Sequence, residues 1–287
     1  MTKCSANTNR RSLIVPKPDS DKALGSLVGL AVCEALAGSN PASVSENAPL
    51  IPGLWGDGTS MALSLAESLI ESGGIDQRDQ MFRYTSWFRY GYLSSTETCD
   101  FIDETVKQAI MRFERTWNPL DEIQTQGDVC LARVAPVVMY FTNSREAMLD
   151  ACAKSTATTH SSLQSLDACR LLAVMIFEAL HSTDKSLVLR PQLPDLSPEI
   201  ADLCSDAPRP AESGTAASLQ AAMSAFRDSD SFAAGGIKCF PHGPRALAAY
   251  GQLAGAWYGR DQIPQVWRQS LARNNMLKQM GNQLIKI

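Results

Sequence analysis

Four acidic residues are the side chains of this sequence best suited to chemistry. Glu34, Asp57, Asp103 and Asp128 lie beside or within apolar segments. A carboxyl group in such a place could donate or accept a proton. Their spacing matches no catalytic motif, so the sequence offers candidate acids and bases without indicating which of them act together.

Asp57 and Glu34 each have a structural interpretation as well. Asp57 stands between two glycines directly before an apolar helical segment. That position is typical of a helix cap or of a charge in a first turn. Glu34 lies on an otherwise apolar helix face, where an unpaired carboxylate would be costly to bury. Glu34 therefore needs either a partner or solvent.

The histidines and cysteines do not form a metal-binding pattern. The eight cysteines are spread singly, with no C-x-x-C pair and no matching histidine spacing, so neither a zinc site nor a disulfide framework is favoured. Most of the cysteines are expected to be small buried residues. We interpret His160 as a buried histidine with satisfied hydrogen bonds, and His242 as a solvated turn residue.

Composition and charge exclude several classes of protein. The 287 residues are 45% hydrophobic, enough for a large core, and carry 26 Lys and Arg against 30 Asp and Glu, a net charge of −4. Because no dense basic run is present, we do not expect nucleic acid as a partner. Charges interrupt every apolar stretch before the roughly 18 residues that a membrane span requires, so no membrane association is expected.

The N-terminal segment bears on location and flexibility. Residues 1–20 are polar and lack the apolar segment of a secretory signal. We interpret them as a flexible arm. The protein is expected in the cytoplasm, either of its own cell or, as a delivered effector, of another.

Apolar residues recur three and four positions apart along most of the chain, which predicts an all-α protein. No run of alternating β-branched residues is long enough to build a sheet. The first helix is predicted over 22–37, with Asp21 as its N-cap and Gly38 as its stop. Because the helices on both sides of the proline-rich stretches look like parts of one bundle, we predict a single domain over 21–287. Further helices are predicted over 59–72, 77–90, 101–115, 128–142, 145–157, 162–181, 213–227, 244–258 and 263–285.

Five segments, taken in order along the chain, carry the motifs of one known family. Together they resemble the ADP-ribosylglycohydrolase family, which includes the dinitrogenase reductase-activating glycohydrolase. The resemblance implies a compact bundle of many helices. The segments are DKALGSLVGLAVCEALAG (21–38), LWGDGTSMALSLAESL (54–69), GDVCLARVAPVVM (127–139), the stretch from Ser155 to His160, and ALAAYGQLAGAWYGRDQIPQVW (246–267).

The resemblance implies a metal site that this sequence has largely lost. In that family a pair of Mg²⁺ ions is held by a Thr-Asp-Asp run and an Asp-x-Asp-Thr run, because this small, hard cation prefers carboxylate and hydroxyl oxygens. The first run corresponds here to residues 56–58, Gly-Asp-Gly, and the second to residues 242–245. No Asp or Glu occurs anywhere in residues 233–250. We therefore expect no magnesium cofactor. We interpret Asp57 as the one metal ligand of the former site that remains.

The resemblance also implies which residues could contact a ligand. Phe101 stands where the family places an acidic residue near the ribose. His242 and Arg245 fall on the second metal run, and Lys238 and Arg133 add positive charge to family motifs or beside them. These cations could attract a pyrophosphate without any metal.

Charged residues at other family positions carry further expectations. Asp128 replaces part of a glycine-rich substrate loop. Asp100 or Asp103 could supply the acid that the family has near the ribose. A salt bridge from Glu34 to Arg245 or to Arg133 could fill the former metal cleft.

The packing positions of the family persist in this sequence while its chemical positions have changed, which indicates a degenerate member. The first hypothesis is a pseudo-enzyme that binds an ADP-ribose-like ligand or a protein partner, as an immunity or effector protein would. The alternative is an ADP-ribosyl hydrolase that works without metal, which would need two well-placed carboxyl groups.

Overall fold

The structure is a computed structural model that describes residues 19–286, and the regular structure in that range is entirely helical. The all-α prediction is therefore confirmed. Short 3-10 turns join several of the helices. The α-helices are α1 (Ser20–Ala37), α2 (Asp57–Ser72), α3 (Gln77–Tyr90), α4 (Glu104–Thr116), α5 (Ala135–Tyr140), α6 (Arg145–Thr156), α7 (Leu163–His181), α8 (Lys185–Leu189), α9 (Pro198–Asp202), α10 (Gly214–Arg227), α11 (Phe232–Cys239), α12 (Gly243–Tyr258), α13 (Gln265–Ser270) and α14 (Asn274–Lys286).

Helices α1 and α12 pack against each other at the centre of the fold. A Cβ added to Gly25 would lie 2.3 Å from the carbonyl oxygen of Gly255, and one added to Gly29 would lie 2.2 Å from that of Gly251. Only glycine allows the two backbones to approach so closely. The order of these contacts shows that the helices run in opposite directions. The last turn of α1 therefore lies beside the first turn of α12.

An apolar cluster packs α2, α3 and α4 together. It thereby fixes the position of the first turn of α4 relative to α2. Its members are largely buried aromatic and aliphatic side chains, which stabilise the contact by removing apolar surface from water. They are Met61, Met81, Tyr84, Trp87, Val106, Ala109, Ile110, Phe113 and Val129.

The first helix begins slightly earlier than predicted. Asp19, rather than Asp21, is the N-cap: its carboxylate accepts a hydrogen bond from the backbone N–H of Asp21 at 2.9 Å. The helix ends at Gly38 as predicted. The expected flexible arm lies outside the described residues as far as residue 18, and Ser20 already belongs to α1.

Other differences from the predicted helices have local causes. Helix α11 has no counterpart among the predicted helices, and it contains Gly235 and Gly236, which are unfavourable inside a helix. In the structure a Cβ on Gly235 would lie 2.2 Å from the Tyr250 hydroxyl, so the glycine allows α11 to pack on α12. The predicted 263–285 helix is interrupted between α13 and α14, where Arg273 has a φ of 47°. Similarly, the 128–142 segment is a 3-10 turn followed by α5.

Two further expectations concern the chain as a whole. Between residues 19 and 286 no helix combines the length and hydrophobicity of a membrane span. In the same range the cysteines are free thiols, and most of them are buried, as predicted.

Candidate functional site

A cleft of about 380 Å³ lies where the end of α1, the start of α2 and the start of α12 meet. Its volume is within the range of sites for small molecules. Each of the three helices contributes one charged residue, namely Glu34, Asp57 and Arg245. The other lining residues are Ala37, Gly38, Leu54, Trp55, Gly56, Ser60, Trp87, Ser94, Ser95, Thr96, Thr98, Asp100, Phe101 and Pro244.

Arg245 and Asp57 form a bidentate ion pair in this cleft. Nη1 of Arg245 lies 2.6 Å from Oδ1 of Asp57, and Nη2 lies 2.8 Å from Oδ2. The side chains are only 13% and 3% exposed. Burial by itself would lower the pKa of Arg245, but the hydrogen bonds and charge of Asp57 outweigh it and raise that pKa. The guanidinium is therefore a permanent cation that holds both oxygens of Asp57.

Glu34 reaches from α1 to the beginning of α2. Its Oε2 accepts hydrogen bonds from the backbone N–H groups of Gly56 at 3.1 Å and Thr59 at 2.8 Å. Gly56 has no side chain with which to cap α2, so Glu34 satisfies donors that the helix leaves unpaired. Burial, followed by the nearby negative charge of Asp57, raises the pKa of Glu34.

The structure corrects one expectation about these acids and confirms another. The predicted salt bridge from Glu34 to Arg245 or Arg133 does not form, because Arg245 pairs with Asp57 and Glu34 accepts backbone hydrogen bonds instead. Asp57 is the first residue of α2 and is therefore the first-turn charge that its sequence position indicated. The carboxylate of Asp57 accepts both hydrogen bonds from the guanidinium of Arg245.

Asp103 is a third carboxylate beside Arg245. It caps α4, where its Oδ1 accepts hydrogen bonds from the backbone N–H of Thr105 at 2.9 Å and from the Thr105 hydroxyl. Its Oδ2 lies 3.9 Å from Nη2 of Arg245. Burial opposes ionisation, but the hydrogen bonds from Thr105 and then the charge of Arg245 prevail and lower the pKa of Asp103.

His160 contacts Thr105, the residue that donates hydrogen bonds to Asp103. Its Nε2 lies 3.0 Å from the Thr105 hydroxyl, and its Nδ1 lies 2.7 Å from the hydroxyl of Thr159. Burial and the positive charge of Arg133 lower the pKa of His160 to about 3, so the imidazole is neutral at physiological pH. His160 has the structural role that its sequence position indicated.

Arg133 was expected to contact a ligand, but the structure places it inside the core. It donates a hydrogen bond to the Thr159 hydroxyl, and its guanidinium lies 5.5 Å from the centre of the Tyr84 ring. The side chain is buried and is not among those that line the cleft. A buried arginine with these contacts stabilises the packing around His160 and is not available to a phosphate.

Like Asp103, three other predicted site residues are not among those that line the cleft. Lys238, on α11, pairs with Asp228 at 3.5 Å. His242 lies on the turn before α12 and lines a different cavity. Asp128 accepts a hydrogen bond from Ser218 on α10 at 2.6 Å.

Phe101 lines the cleft, with 64% of its surface exposed. Sequence reasoning missed the polar loop before it. Thr96 and Thr98 donate hydrogen bonds to Asp100. The Asp100 carboxylate therefore has its hydrogen-bond donors within the same loop. The Ser/Thr-rich run over residues 94–98 was the signal that could have indicated a hydroxyl-lined wall.

With this geometry in view, similarity to known proteins decides the family. The sequence model described as ADP-ribosylglycohydrolase matches residues 16–287. The chain belongs to the ADP-ribosylglycohydrolase family. The resemblance carried by the five motifs is therefore confirmed.

The chain is also similar to several named proteins. The ADP-ribosylarginine hydrolase Tri1 of Serratia proteamaculans (strain 568) is 26% identical over 301 residues, which cover 96% of this chain and 82% of that protein. The ADP-ribosylarginine hydrolase Tri1 of Pseudomonas putida (strain GB-1) is 26% identical over 302 residues, covering 96% and 81%. A solved structure described as an ADP-ribosylglycohydrolase-related protein complex has a TM-score of 0.77 and 30% identity, covering 93% of this chain and 98% of that chain.

The magnesium pair that the ADP-ribosylglycohydrolase family implies does not fit the residues present. Both oxygens of Asp57 are engaged by Arg245. At position 58 a Cβ would lie 2.3 Å from Oε1 of Glu34 and 2.4 Å from Cβ of Ala132, so this backbone has no room for a second carboxylate. Within residues 19–286 no group of three or more His, Cys, Asp or Glu side chains is arranged to hold a metal ion.

Proposed function

We propose that this protein binds an ADP-ribose-like ligand in the cleft and does not hydrolyse it. The observation that carries the proposal is the ion pair between Arg245 and Asp57. Asp57 is the remaining carboxylate of the family's first metal run, and a carboxylate whose two oxygens accept from a guanidinium is not free to bind a metal or to take a proton.

The cleft keeps features that suit a nucleotide sugar. Phe101 presents an exposed ring on which a base can stack. Ser94, Ser95 and Thr98 line the cleft with hydroxyl groups suited to a sugar. Among the described lining residues, Arg245 is the one cation. Because it is already paired, we expect affinity to come mainly from stacking and hydroxyl contacts.

The relatives named for ADP-ribosylarginine hydrolysis supply the ligand class to be tested first. Free ADP-ribose and ADP-ribosyl-arginine share the adenine, pyrophosphate and ribose groups that the cleft would contact. ADP-ribosyl-arginine adds the bond that an active enzyme would break.

A second candidate function is hydrolysis without metal. It is favoured by two carboxyl groups, Glu34 in the cleft lining and Asp103 with its Oδ2 3.9 Å from Nη2 of Arg245. Their pKa values move in opposite directions: burial chiefly raises the pKa of Glu34, whereas Thr105 and Arg245 prevail over burial and lower the pKa of Asp103. A pair of acids separated in this way can act as general acid and general base.

One experiment separates the two functions. Calorimetric titration with ADP-ribose measures binding, and chromatography of ADP-ribosyl-arginine incubated with the protein measures turnover, with and without EDTA. We expect binding and background turnover. Turnover near 1 per second or faster would establish the second candidate instead. Failure to bind ADP-ribose would overturn the proposed ligand class.

A further inference from the structure

A chain of side-chain hydrogen bonds runs from the core to the edge of the cleft. Nη2 of Arg133 donates to the Thr159 hydroxyl, which lies 2.7 Å from Nδ1 of His160. Nε2 of His160 lies 3.0 Å from the Thr105 hydroxyl, and that hydroxyl donates to Oδ1 of Asp103. The first three residues are buried, whereas the side chain of Asp103 is 30% exposed. The chain therefore links a buried cation to a carboxylate that a ligand can reach.

The two ends of the chain fix the direction of its hydrogen bonds. A guanidinium can only donate, and a carboxylate can only accept. Because Arg133 donates to Thr159, the proton of the Thr159 hydroxyl is available to Nδ1 of His160. At the other end, the single proton of the Thr105 hydroxyl goes to the charged oxygen of Asp103, since a hydrogen bond to an ion is stronger than one to a neutral ring. The Thr105 oxygen is then left to accept from His160.

These requirements select one tautomer of His160. Burial and the charge of Arg133 lower the pKa of this ring, so it is neutral and has one N–H and one acceptor nitrogen. The proton must then lie on Nε2, with Nδ1 as the acceptor. In the opposite tautomer, Nε2 and the Asp103 carboxylate would compete for the one proton of Thr105. Gly127 allows the ring to occupy this position, because a Cβ there would lie 2.8 Å from Nε2.

The chain leaves one oxygen of Asp103 free for a ligand. Its Oδ1 accepts from both the backbone N–H and the hydroxyl of Thr105. Its Oδ2 lies 3.9 Å from Nη2 of Arg245, a residue of the cleft lining, and this distance is too long for a direct hydrogen bond. A ligand hydroxyl placed between the two groups can donate to Oδ2 and accept from an N–H of the guanidinium.

We propose that His160 is a positioning residue for ligand binding: in its Nε2–H tautomer it keeps the Thr105 proton on Asp103 and so holds the free Oδ2 beside Arg245 as the acceptor for a ligand hydroxyl. His160 is buried and does not line the cleft, so it acts through Thr105. This deepens the proposed function and rests on it for the ligand, since ADP-ribose supplies the hydroxyl groups. The chain of hydrogen bonds itself is a property of the free protein.

Nuclear magnetic resonance of the whole protein, without ligand, tests the chain. Labelling with ¹⁵N-histidine shows which ring nitrogen carries the proton, and His160→Asn identifies the signals of this ring among those of the three histidines. We expect the proton on Nε2. The carboxyl ¹³C resonance of Asp103 should shift in Thr159→Val and remain near its wild-type position in Thr159→Ser, which keeps the hydroxyl. A merely structural role of Thr159 would not move a resonance three residues away along the chain of hydrogen bonds.

Calorimetric titration with ADP-ribose tests the consequence for binding. Thr105→Val removes the hydroxyl that contacts Asp103 and should weaken binding about fivefold, on the scale of one hydrogen bond. Thr159→Val should also weaken binding, although Thr159 does not line the cleft. The serine variants at both positions should bind within about twofold of the wild type, because they keep the hydroxyl groups. Thr85→Val is the matched control, since it removes a hydroxyl that bonds only to a carbonyl oxygen of its own helix.

The outcomes separate this proposal from the proposed function. A proton on Nδ1 of His160 in the wild type would overturn the positioning role. So would folded Thr105→Val and Thr159→Val variants that bind ADP-ribose as tightly as the wild type. If Thr159→Val does not fold, Thr159→Ala is measured in its place. A wild type with the proton on Nε2 and the expected response of Asp103, but with no affinity for ADP-ribose, would overturn only the proposed function and would leave the chain intact.

Discussion

Arg245 and Asp57 are 188 positions apart in the chain, yet their side chains meet in two hydrogen bonds of 2.6 and 2.8 Å. The pair joins the first turn of α12 to the first residue of α2 within the cleft. Its burial makes it a structural element as well as a feature of the site.

Substitution of either residue of this pair should therefore lower the free energy of unfolding. We expect Asp57→Asn to lower the free energy of unfolding by about 3 kcal/mol. The guanidinium of Arg245 would remain largely buried with only the more distant carboxylate of Asp103, 3.9 Å away, as a counter-charge. Urea unfolding of the variant measures the loss. Asp228→Asn, which breaks a more exposed pair with Arg227, should change stability by less than about 1 kcal/mol. Equal effects of the two substitutions would contradict the structural role of Asp57.

Position 58 should not tolerate a side chain. A Cβ there would meet Glu34 and Ala132 at 2.3 and 2.4 Å, so even Gly58→Ala is expected to lower stability by about 1–3 kcal/mol despite the better helix propensity of alanine. Gly38→Ala is the matched control, since its nearest neighbouring atom would be 3.6 Å away. Thermal unfolding of both variants provides the comparison. A Gly58→Ala protein as stable as the wild type would show that the neighbours yield easily.

Chelators should leave the melting temperature unchanged. A ligand stabilises a protein only to the extent that it binds the folded state, and Arg245 already holds the oxygens that a divalent ion would need. Differential scanning calorimetry with EDTA, and separately with excess Mg²⁺, tests this expectation. A shift of several degrees between the two conditions would argue for a bound ion.

Stability should decline as the pH falls below about 6.5 because of His160. Burial and Arg133 lower the pKa of its imidazole from 6.5 to about 3, so the unfolded chain binds a proton in this window that the folded protein does not. The linked loss is up to about 1.4 kcal/mol per pH unit for this group. His160→Asn should flatten that part of the profile, whereas His242→Asn, on an exposed turn, should not. Unfolding free energies measured from pH 4 to pH 7.5 would reveal parallel profiles if His160 has no such effect.

Phe101 should contribute to ligand affinity without supporting the fold. We expect Phe101→Ala to weaken ADP-ribose binding about tenfold, on the scale of losing one base-stacking contact. Its exposed position predicts little change in melting temperature. Phe82→Ala, which removes another exposed aromatic ring from outside the cleft lining, is the control. Similar calorimetric affinities for both variants would remove Phe101 from the binding site.

The sequence by itself determined the helical architecture and the family, because three- and four-residue apolar spacing and ordered local motifs are properties of short segments. It also identified Asp57 and the missing carboxylates of residues 242–245. Only the tertiary structure decided which charged side chains pair with each other. Arg245 pairs with Asp57 and not with Glu34, whereas Arg133 lies in the core. Such choices depend on how α1, α2 and α12 pack, and contacts between side chains far apart in the chain leave no local pattern in a single sequence.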